Sequence, residues 1–581
     1  MKKNYLLFYP KQKINHRRYN KVISLGSWIY FSKNYFNKDE NKLCNYYLKY
    51  SKKEIQKNYD YLISLNERVL NQLSKSLNRI HSKNEPIEYW RILIGPWLKN
   101  FLQVSYDKWN LITKVSNKFK NISYHEYVVK YNDDISNETN DYSFLSAHDI
   151  WNSSLISKIL KYNSKIFNLG KVRLRYDSND GYQSSVIKIN FIKKLLFSFL
   201  GLFKSLTKVL LYSTYLGLAN ELKIYLSIKQ FPYFSLKINT LKKNIILSKR
   251  KVIFNIKANN KFEKFLEKTI VDYIPKCFVE LLSEYEKKSI KIYPSNAKIC
   301  ISSVAQHGDE LFKFFIANNI KNLNFIILQH GIMGLYLFDY NVYTEVKNSH
   351  FFLSWGWKNK NKKIIPFYFS KKLTLKKNKN GKILIILYAF SRHSQRTRPS
   401  LLQDNNFQLI NDQLELIKSV LSINEDIINH IVIRLPHLVT MREYYRTIIK
   451  KNFPNLKFDE DNTNDSFNNS KLVITTFMGT AFLESIYLNI PTIGVWRKED
   501  VLFNSHAEKG IKELQKNQII VDNLKDFKNI ISNIYKEPSK WWNKNENIVN
   551  SFKDKFCKCS NNINADLAAF INNIINNKKI K

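Results

Sequence analysis

Three loops in the C-terminal half hold the residue types that bind phosphate. They read Ser391-Arg392-His393-Ser394-Gln395-Arg396-Thr397-Arg398, Arg434-Leu435-Pro436-His437, and Thr475-Thr476-Phe477-Met478-Gly479-Thr480 with Glu484 just beyond. Guanidinium groups grip phosphate oxygens bidentately. A hydroxyl-and-glycine loop opening a helix adds backbone N–H donors and the positive end of the helix dipole. Glu484, about one turn into that helix, is placed to accept hydrogen bonds from a ribose, as an acidic residue does in dinucleotide folds. The same spacing also suits an ordinary βαβ turn whose first-turn Glu is favoured by the dipole. In the N-terminal half, His330 of Gln329-His330-Gly331 and the pair Asp309-Glu310 are candidate proton acceptors. Structural work competes for them: His330 as a partner of backbone, Asp309 as a helix cap. No Asp-x-Asp stands in these loops, so a divalent metal is not required, and no cofactor is expected.

The elements carrying these loops follow from periodicity. Lys471–Thr475 is a short β-branched run suited to a strand buried on both faces, Phe482, Leu483, Ile486, Tyr487 and Ile490 recur at helical spacing, and Thr492–Trp496 follows Pro491 as a second strand. Lys382–Leu387 and His430–Arg434 are further strands, with a helix over about 404–422 between them. Upstream, Ala297–Ser302 and Asn324–Leu328 bracket a helix and end in polar loops, which places His330 outside the carboxyl end of a parallel strand, where ligands of such sheets bind. Lys21–Gly26 predicts a first strand, residues 45–82 a helix, and Tyr89–Trp109 an aromatic helix whose tryptophans belong to the core. The fold class is α/β, with helical N-terminal and middle insertions. The boundaries are 1–365 for the first domain, 366–381 for a linker, 382–545 for the second, nucleotide-binding domain and 546–581 for a helical tail.

Composition narrows the class. The 581 residues carry a formal net charge of +45, with 44% hydrophobic and 14% aromatic residues, which excludes a disordered chain. The lysines are scattered and no nucleic-acid motif accompanies them, so nucleic acid is not an expected partner, whereas an anionic membrane surface is. Five dispersed cysteines argue for a reducing compartment. The N-terminal apolar run is too short for a signal peptide. Leu195–Leu218 is membrane-like but interrupted by Lys204 and Lys208, which predicts a buried or interfacial helix rather than a span. The expected location is the cytoplasm, at the inner face of the plasma membrane.

The chain resembles a family of transferases of bacterial surface-carbohydrate loci with the two-Rossmann-domain architecture of GT-B glycosyltransferases. The resemblance rests on Tyr89-Trp90-Arg91-Ile92-Leu93-Ile94-Gly95-Pro96-Trp97-Leu98, Trp151-Asn152, Asp309-Glu310, Gln329-His330-Gly331, Ser354-Trp355-Gly356-Trp357, Pro436-His437, and Thr475 to Glu484 with Leu488–Thr492; residues 160–290 are not covered. Two departures stand out. The family tends to carry Glu where this chain has Ser27, and a glycine-richer sequence after Gly331. The resemblance implies two Rossmann-like domains facing across a cleft, a nucleotide-sugar in the C-terminal domain, a glycan or lipid-linked acceptor in the N-terminal one, and metal-independent transfer between them. Pro436-His437 is similar, in reversed order, to the His-Pro element of sialyltransferase-like enzymes, which makes a CMP-activated sugar one donor to test. A polyol-phosphate transferase, a sugar-nucleotide epimerase, and a non-catalytic anion- or membrane-binding relative are the alternatives.

Overall fold

Short apolar runs become strands, and all of them pair in parallel. The computed structural model describes residues 3–576 apart from 30–42, 47, 49, 163–165, 177–200, 202, 235–245, 251–253, 375–380, 389, 394–405, 437–440 and 499–500. Its strands form three sheets of five, five and six members. The first contains β1 (Asn4–Leu7), β2 (Val22–Leu25), β3 (Leu43–Tyr46), β4 (Ile122–Val129) and β5 (Ile166–Leu174) in the order β3-β2-β1-β4-β5. The second contains β6 (Val209–Leu211), β7 (Ile299–Ser302), β8 (Asn324–Leu328), β9 (Phe351–Ser354) and β10 (Ile364–Pro366), each beside its neighbour in sequence. The third contains β11 (Lys382–Ile386), β12 (Ile431–Arg434), β13 (Lys457–Asp459), β14 (Ser470–Thr475), β15 (Thr492–Val495) and β16 (Ile520–Val521), in the order β13-β12-β11-β14-β15-β16. That is the doubly wound Rossmann order, whose reversal point lies between β11 and β14.

The α/β reading with parallel sheets holds. The part before the third sheet contains two sheets, and β6 comes from the stretch predicted to be a buried or interfacial helix. Residues 195–200 lie outside the described residues; beyond them Lys204–Leu206 is a 3-10 turn and Val209–Leu211 pairs with β7. A sheet edge with unpaired backbone groups competes with local helix propensity, and here the edge wins. Among the described residues no helix is long and apolar enough to cross a membrane.

Helices α1 (Lys52–His81) and α2 (Ile87–Lys118) join the first two sheets. Helix α1 begins on Ser51, which accepts from the Glu54 N–H while Glu54 reaches back, a reciprocal capping box. Helix α2 is apolar on nearly every face because other helices pack around it, among them α1 and the helices Asp149–Lys161 and Glu310–Asn318, and Trp90 and Trp97 are wholly buried. After α2 come α3 (Thr139–Leu145) and α4 (Asp149–Lys161) beside the first sheet. The second sheet adds α5 (Leu218–Ser227), α6 (Leu282–Ile292), α7 (Glu310–Asn318) and α8 (Tyr340–Asn348). The third adds α9 (Asn406–Leu421) and α10 (Thr480–Tyr487), and α11 (Ile563–Ile575) closes the chain. The tail returns to the second sheet: Lys558 N–H donates to Trp355 O at 3.0 Å and Phe369 N–H to Lys558 O at 2.8 Å. Residues of the expected linker are packed as well, with Phe369 stacked on Tyr487 at 4.1 Å between ring centroids.

Candidate active site between the second and third sheets

The carboxyl ends of β8 and β14 meet. Gln329, fully buried, clamps the turn after β8: its Nε2 donates to Gly331 O at 2.8 Å, and its Oε1 accepts from Trp355 N and Trp357 Nε1, both at 2.7 Å. The clamp presents Gly331 to the start of α10. A Cβ added at Gly331 would stand 3.2 Å from Thr480 Oγ1, so this approach between sheets favours a residue with no side chain. Further along, Tyr336 O–H donates to Met478 O, and Asn504 Nδ2 donates to Gly334 O at 2.9 Å and Tyr336 O at 2.6 Å. These bonds fasten the loop after β8 to the third sheet.

His330 is brought to this junction with two partners that the sequence did not mark. His307 ends the turn after β7, with its ring centroid 5.2 Å from that of His330. Glu345, on α8, is buried and puts Oε1 2.6 Å from His307 Nε2 and 3.9 Å from His330 Nδ1. Burial pushes the Glu345 carboxyl up to about 7, against the opposing charges of His330 and Lys99. Ligand atoms of all three residues lie within 4.8 Å of one another, a set that could hold a metal ion. Two ligands on one tetrahedral zinc stand roughly 3.3 Å apart, from metal–ligand distances near 2.0–2.1 Å. The 2.6 Å approach of His307 to Glu345 is closer than that and fits direct contact, although the ring N–H is not aimed along it. His307 had a weak signal, a histidine in a polar loop after a strand; Glu345, in mid-helix, had none.

Asp309 and Glu310 do other work. Asp309 caps α7, its Oδ1 accepting from Phe312 N at 3.1 Å and its Oδ2 from Tyr212 O–H at 2.6 Å. Glu310 is buried 2.8 Å from Lys313 Nζ and accepts from Thr139 N at 2.9 Å, while Lys313 donates to Leu93 O at 2.9 Å. The pair therefore bolts α7 to α2 and α3.

The expected convergence of cations on the threonine loop does not form among the described residues. Arg392 and His393 instead reach the first sheet, where Arg392 pairs with Asp149 at the start of α4 at 2.6 Å and His393 Nε2 lies 2.7 Å from the same carboxylate. Trp28, next to the buried Ser27, packs on His393 at 4.9 Å and donates its Nε1 hydrogen to Phe8 O. Arg434 is buried against Asp459 and donates to Asp461 O at 2.9 Å and Ser466 Oγ at 2.6 Å, on the β13 side. Both arginines satisfy a carboxylate that folding buries, which outweighs leaving a cation aimed at an open cleft. Arg396 and His437 lie outside the described residues.

Of the threonine loop, Thr476 is absorbed into the sheet, its Oγ1 accepting from Tyr388 N at 2.8 Å. Thr475 is buried at the end of β14 with its hydroxyl lacking a hydrogen-bond partner, Gly479 caps α10, and Thr480 opens it. Phe482 and Leu483 N–H donate to Gly479 O at 3.1 and 3.4 Å, which leaves the N–H groups of Thr480 and Ala481 without an intrahelical acceptor, so this start keeps its anion-binding character. Glu484 is buried and paired with Lys371; burial raises its carboxyl and Lys371 opposes the rise. Beside Thr476 lies a cavity of about 260 Å³ at the carboxyl ends of β14 to β16, walled by Leu409, Leu416, Val495, Trp496 and Leu524 and edged by Asp412, Gln413, Arg497, Asp522 and Asn523. Apolar walls with a few polar groups at one rim are the usual form of a small-molecule site. The sequence marked Val495 and Trp496 only as strand and the residues from Leu409 to Leu416 only as helix, and none of the cavity's wall or rim as a site residue.

The family model for LIC12162 family transferases matches residues 6–571. The chain belongs to that family. No curated protein matches the sequence. Among solved structures it is similar to a point mutant of S. aureus TarM in complex with Fondaparinux, α-GlcNAc-glycerol and UDP, at 14% identity over 48% of this chain and 55% of that one, TM-score 0.31. It is also similar to Anabaena Alr3699/HepE in complex with UDP and glucose, at 11% identity over 63% and 99%, TM-score 0.33. The wall teichoic acid polymerase TagF follows at 12% identity over 49% and 74%, TM-score 0.26. The chain spans about half the length of the TarM chains it matches.

One consequence of the Asp149 clip is measurable as stability. His393 is fully buried, and burial lowers its pKa from 6.5 to about 4, with Asp149 opposing the shift. The unfolded chain therefore binds this proton near pH 6.5 while the folded chain resists until about pH 4. Stability contributed by neutral His393 is complete above pH 6.5 and is lost as the pH falls towards 4, by at most about 3 kcal/mol. Thermal melting across that window should fall more steeply for the native protein than for His393→Gln; equal slopes would reject the assignment.

Proposed function

We propose that the protein is a glycosyltransferase that moves a sugar from a nucleotide-sugar to a cell-surface polysaccharide or lipid-linked acceptor in the cleft between the second and third sheets. The observation that carries this reading is the 3.2 Å approach of the Gly331 Cβ position to Thr480, which sets His330 beside a helix start suited to phosphate. In this reading the nucleoside occupies the 260 Å³ cavity edged by Arg497 and Asp522, and the diphosphate lies at the N-terminus of α10. His330 takes the proton of the acceptor hydroxyl as its oxygen bonds to the sugar's anomeric carbon. The bond from that carbon to phosphate breaks, and the helix start and the Thr480 hydroxyl stabilise the departing diphosphate. Glu345, shared with His307, stabilises the imidazolium that forms. Asp309 and Glu310 have no part in the step, and no metal is needed.

A panel of UDP-, GDP-, dTDP- and CMP-sugars tests the donor site by thermal stabilisation, since a ligand at about 100 times its dissociation constant adds about 2.7 kcal/mol. The fitting donor should lose about tenfold or more in affinity on Arg497→Ala, by calorimetry; unchanged affinity would move the nucleotide elsewhere. Incubation with labelled donor then distinguishes transfer of the sugar from epimerisation or polyol-phosphate transfer by the product formed. Activity retained after chelation, with no metal in the purified protein, is the expected result; loss restored by zinc would convert the histidine–glutamate group into a metal site.

A further inference from the structure

The second sheet has an unusual surface at its other end. Of the twelve large hydrophobic side chains exposed among the described residues, Leu206, Leu226, Phe231 and Ile290 lie at the amino edge of β6 and β7, opposite the cleft. Direct contacts hold the segments together there. Lys204 Nζ donates to Ile290 O and Lys291 O at 2.7 and 2.8 Å, closing the end of α6. Phe203 packs on Phe231 at 4.2 Å, and Gln230 Nε2 donates to Val209 O at 2.7 Å. Leu206 is 63% exposed and Ile290 62%, values hard to reconcile with a role in the core.

Charge accompanies the apolar groups. The three segments that build the patch, 203–210, 226–234 and 287–298, carry Lys204, Lys208, Lys229, Lys287, Lys288, Lys291 and Lys298 and no Asp or Glu. Exposed leucine, isoleucine and phenylalanine inside a lysine rim is what an anionic bilayer surface recognises: apolar groups enter the headgroup boundary while ammonium groups remain among lipid phosphates. The patch interrupts the most membrane-like stretch of the sequence, Leu195–Leu218, and does so as a turn and a strand start.

We propose that the amino edge of the second sheet, centred on Leu206, Phe231 and Ile290, docks the protein on an anionic phospholipid surface. The cleft opens at the opposite edge of that sheet, so a docked molecule keeps it turned away from the bilayer and suits an acceptor end that extends from the membrane.

The test uses the full-length protein and vesicles of phosphatidylglycerol and phosphatidylcholine in a sedimentation assay. Native protein should pellet with the mixed vesicles, much less with pure phosphatidylcholine, and progressively less as salt rises. Leu206→Glu/Ile290→Glu should lose on the order of a hundredfold in partition, about tenfold per apolar anchor. Both side chains are solvent-exposed, so its melting temperature should match the native value. Equal binding by the variant, or no binding by the native protein, overturns the proposal. A concentration-dependent dimer that the same variant abolishes, without vesicle binding, assigns the patch to a second copy and overturns it too. Turnover of a water-soluble donor and acceptor should be unchanged in the variant, so failure here is distinct from failure of the glycosyltransferase reading.

Discussion

Replacing His330 with alanine is expected to lower turnover by about 10²–10⁴-fold, the usual contribution of a positioned general base, with donor affinity unchanged. The expectation rests on where the turn after β8 is held. Gln329 bonds to two tryptophan N–H groups and to Gly331 O, so the loop cannot drift when the imidazole is removed. Glu345→Gln is the informative companion. It keeps the shape and removes the negative charge that stabilises the imidazolium, so the acidic limb of the pH–rate profile should move to lower pH while the Michaelis constant stays put. A His330→Ala enzyme with native turnover would remove the site assigned to the base, whatever the donor.

Glu310→Ala is expected to cost about 3–5 kcal/mol of stability, because it leaves Lys313 buried without its counter-charge. Thermal melting should show a large loss in the soluble fraction that remains, and that fraction should retain turnover per folded molecule. Lys313→Met combined with Glu310→Leu should recover much of the loss, since an apolar pair can replace a buried ion pair. The opposite pattern, a stable protein with no turnover, would return Glu310 to the catalytic group. The carboxylate two residues beyond Gly308 would then act in chemistry, and its bond to Thr139 N would be incidental.

The carboxylates also show how far the sequence could be read. Asp309 and Glu310 have the composition of a catalytic pair and the position of a helix start, and the sequence left both roles open. The partners that decide between them, Tyr212, Thr139 and Lys313, include two from distant segments. The arginines behave alike. Arg434 ends β12 and Arg392 lies in the loop after β11, at the edge where ligands bind, yet Asp459 and Asp149 reach them first.

What the sequence alone determined is the set of buried parallel strands and the loops at their carboxyl ends: β7, β8, β11, β12, β14 and β15 fall on the runs whose composition marked them. Those signals are local, because a strand covered on both faces must be apolar throughout and must stop where the chain turns polar. Only the tertiary structure decided that β6 belongs to a sheet, that there are three sheets, and that Glu345 stands between His307 and His330. These depend on which side chains from remote segments arrive at one point. A lone mid-helix glutamate looks the same in sequence whether it faces water or is buried against two imidazoles.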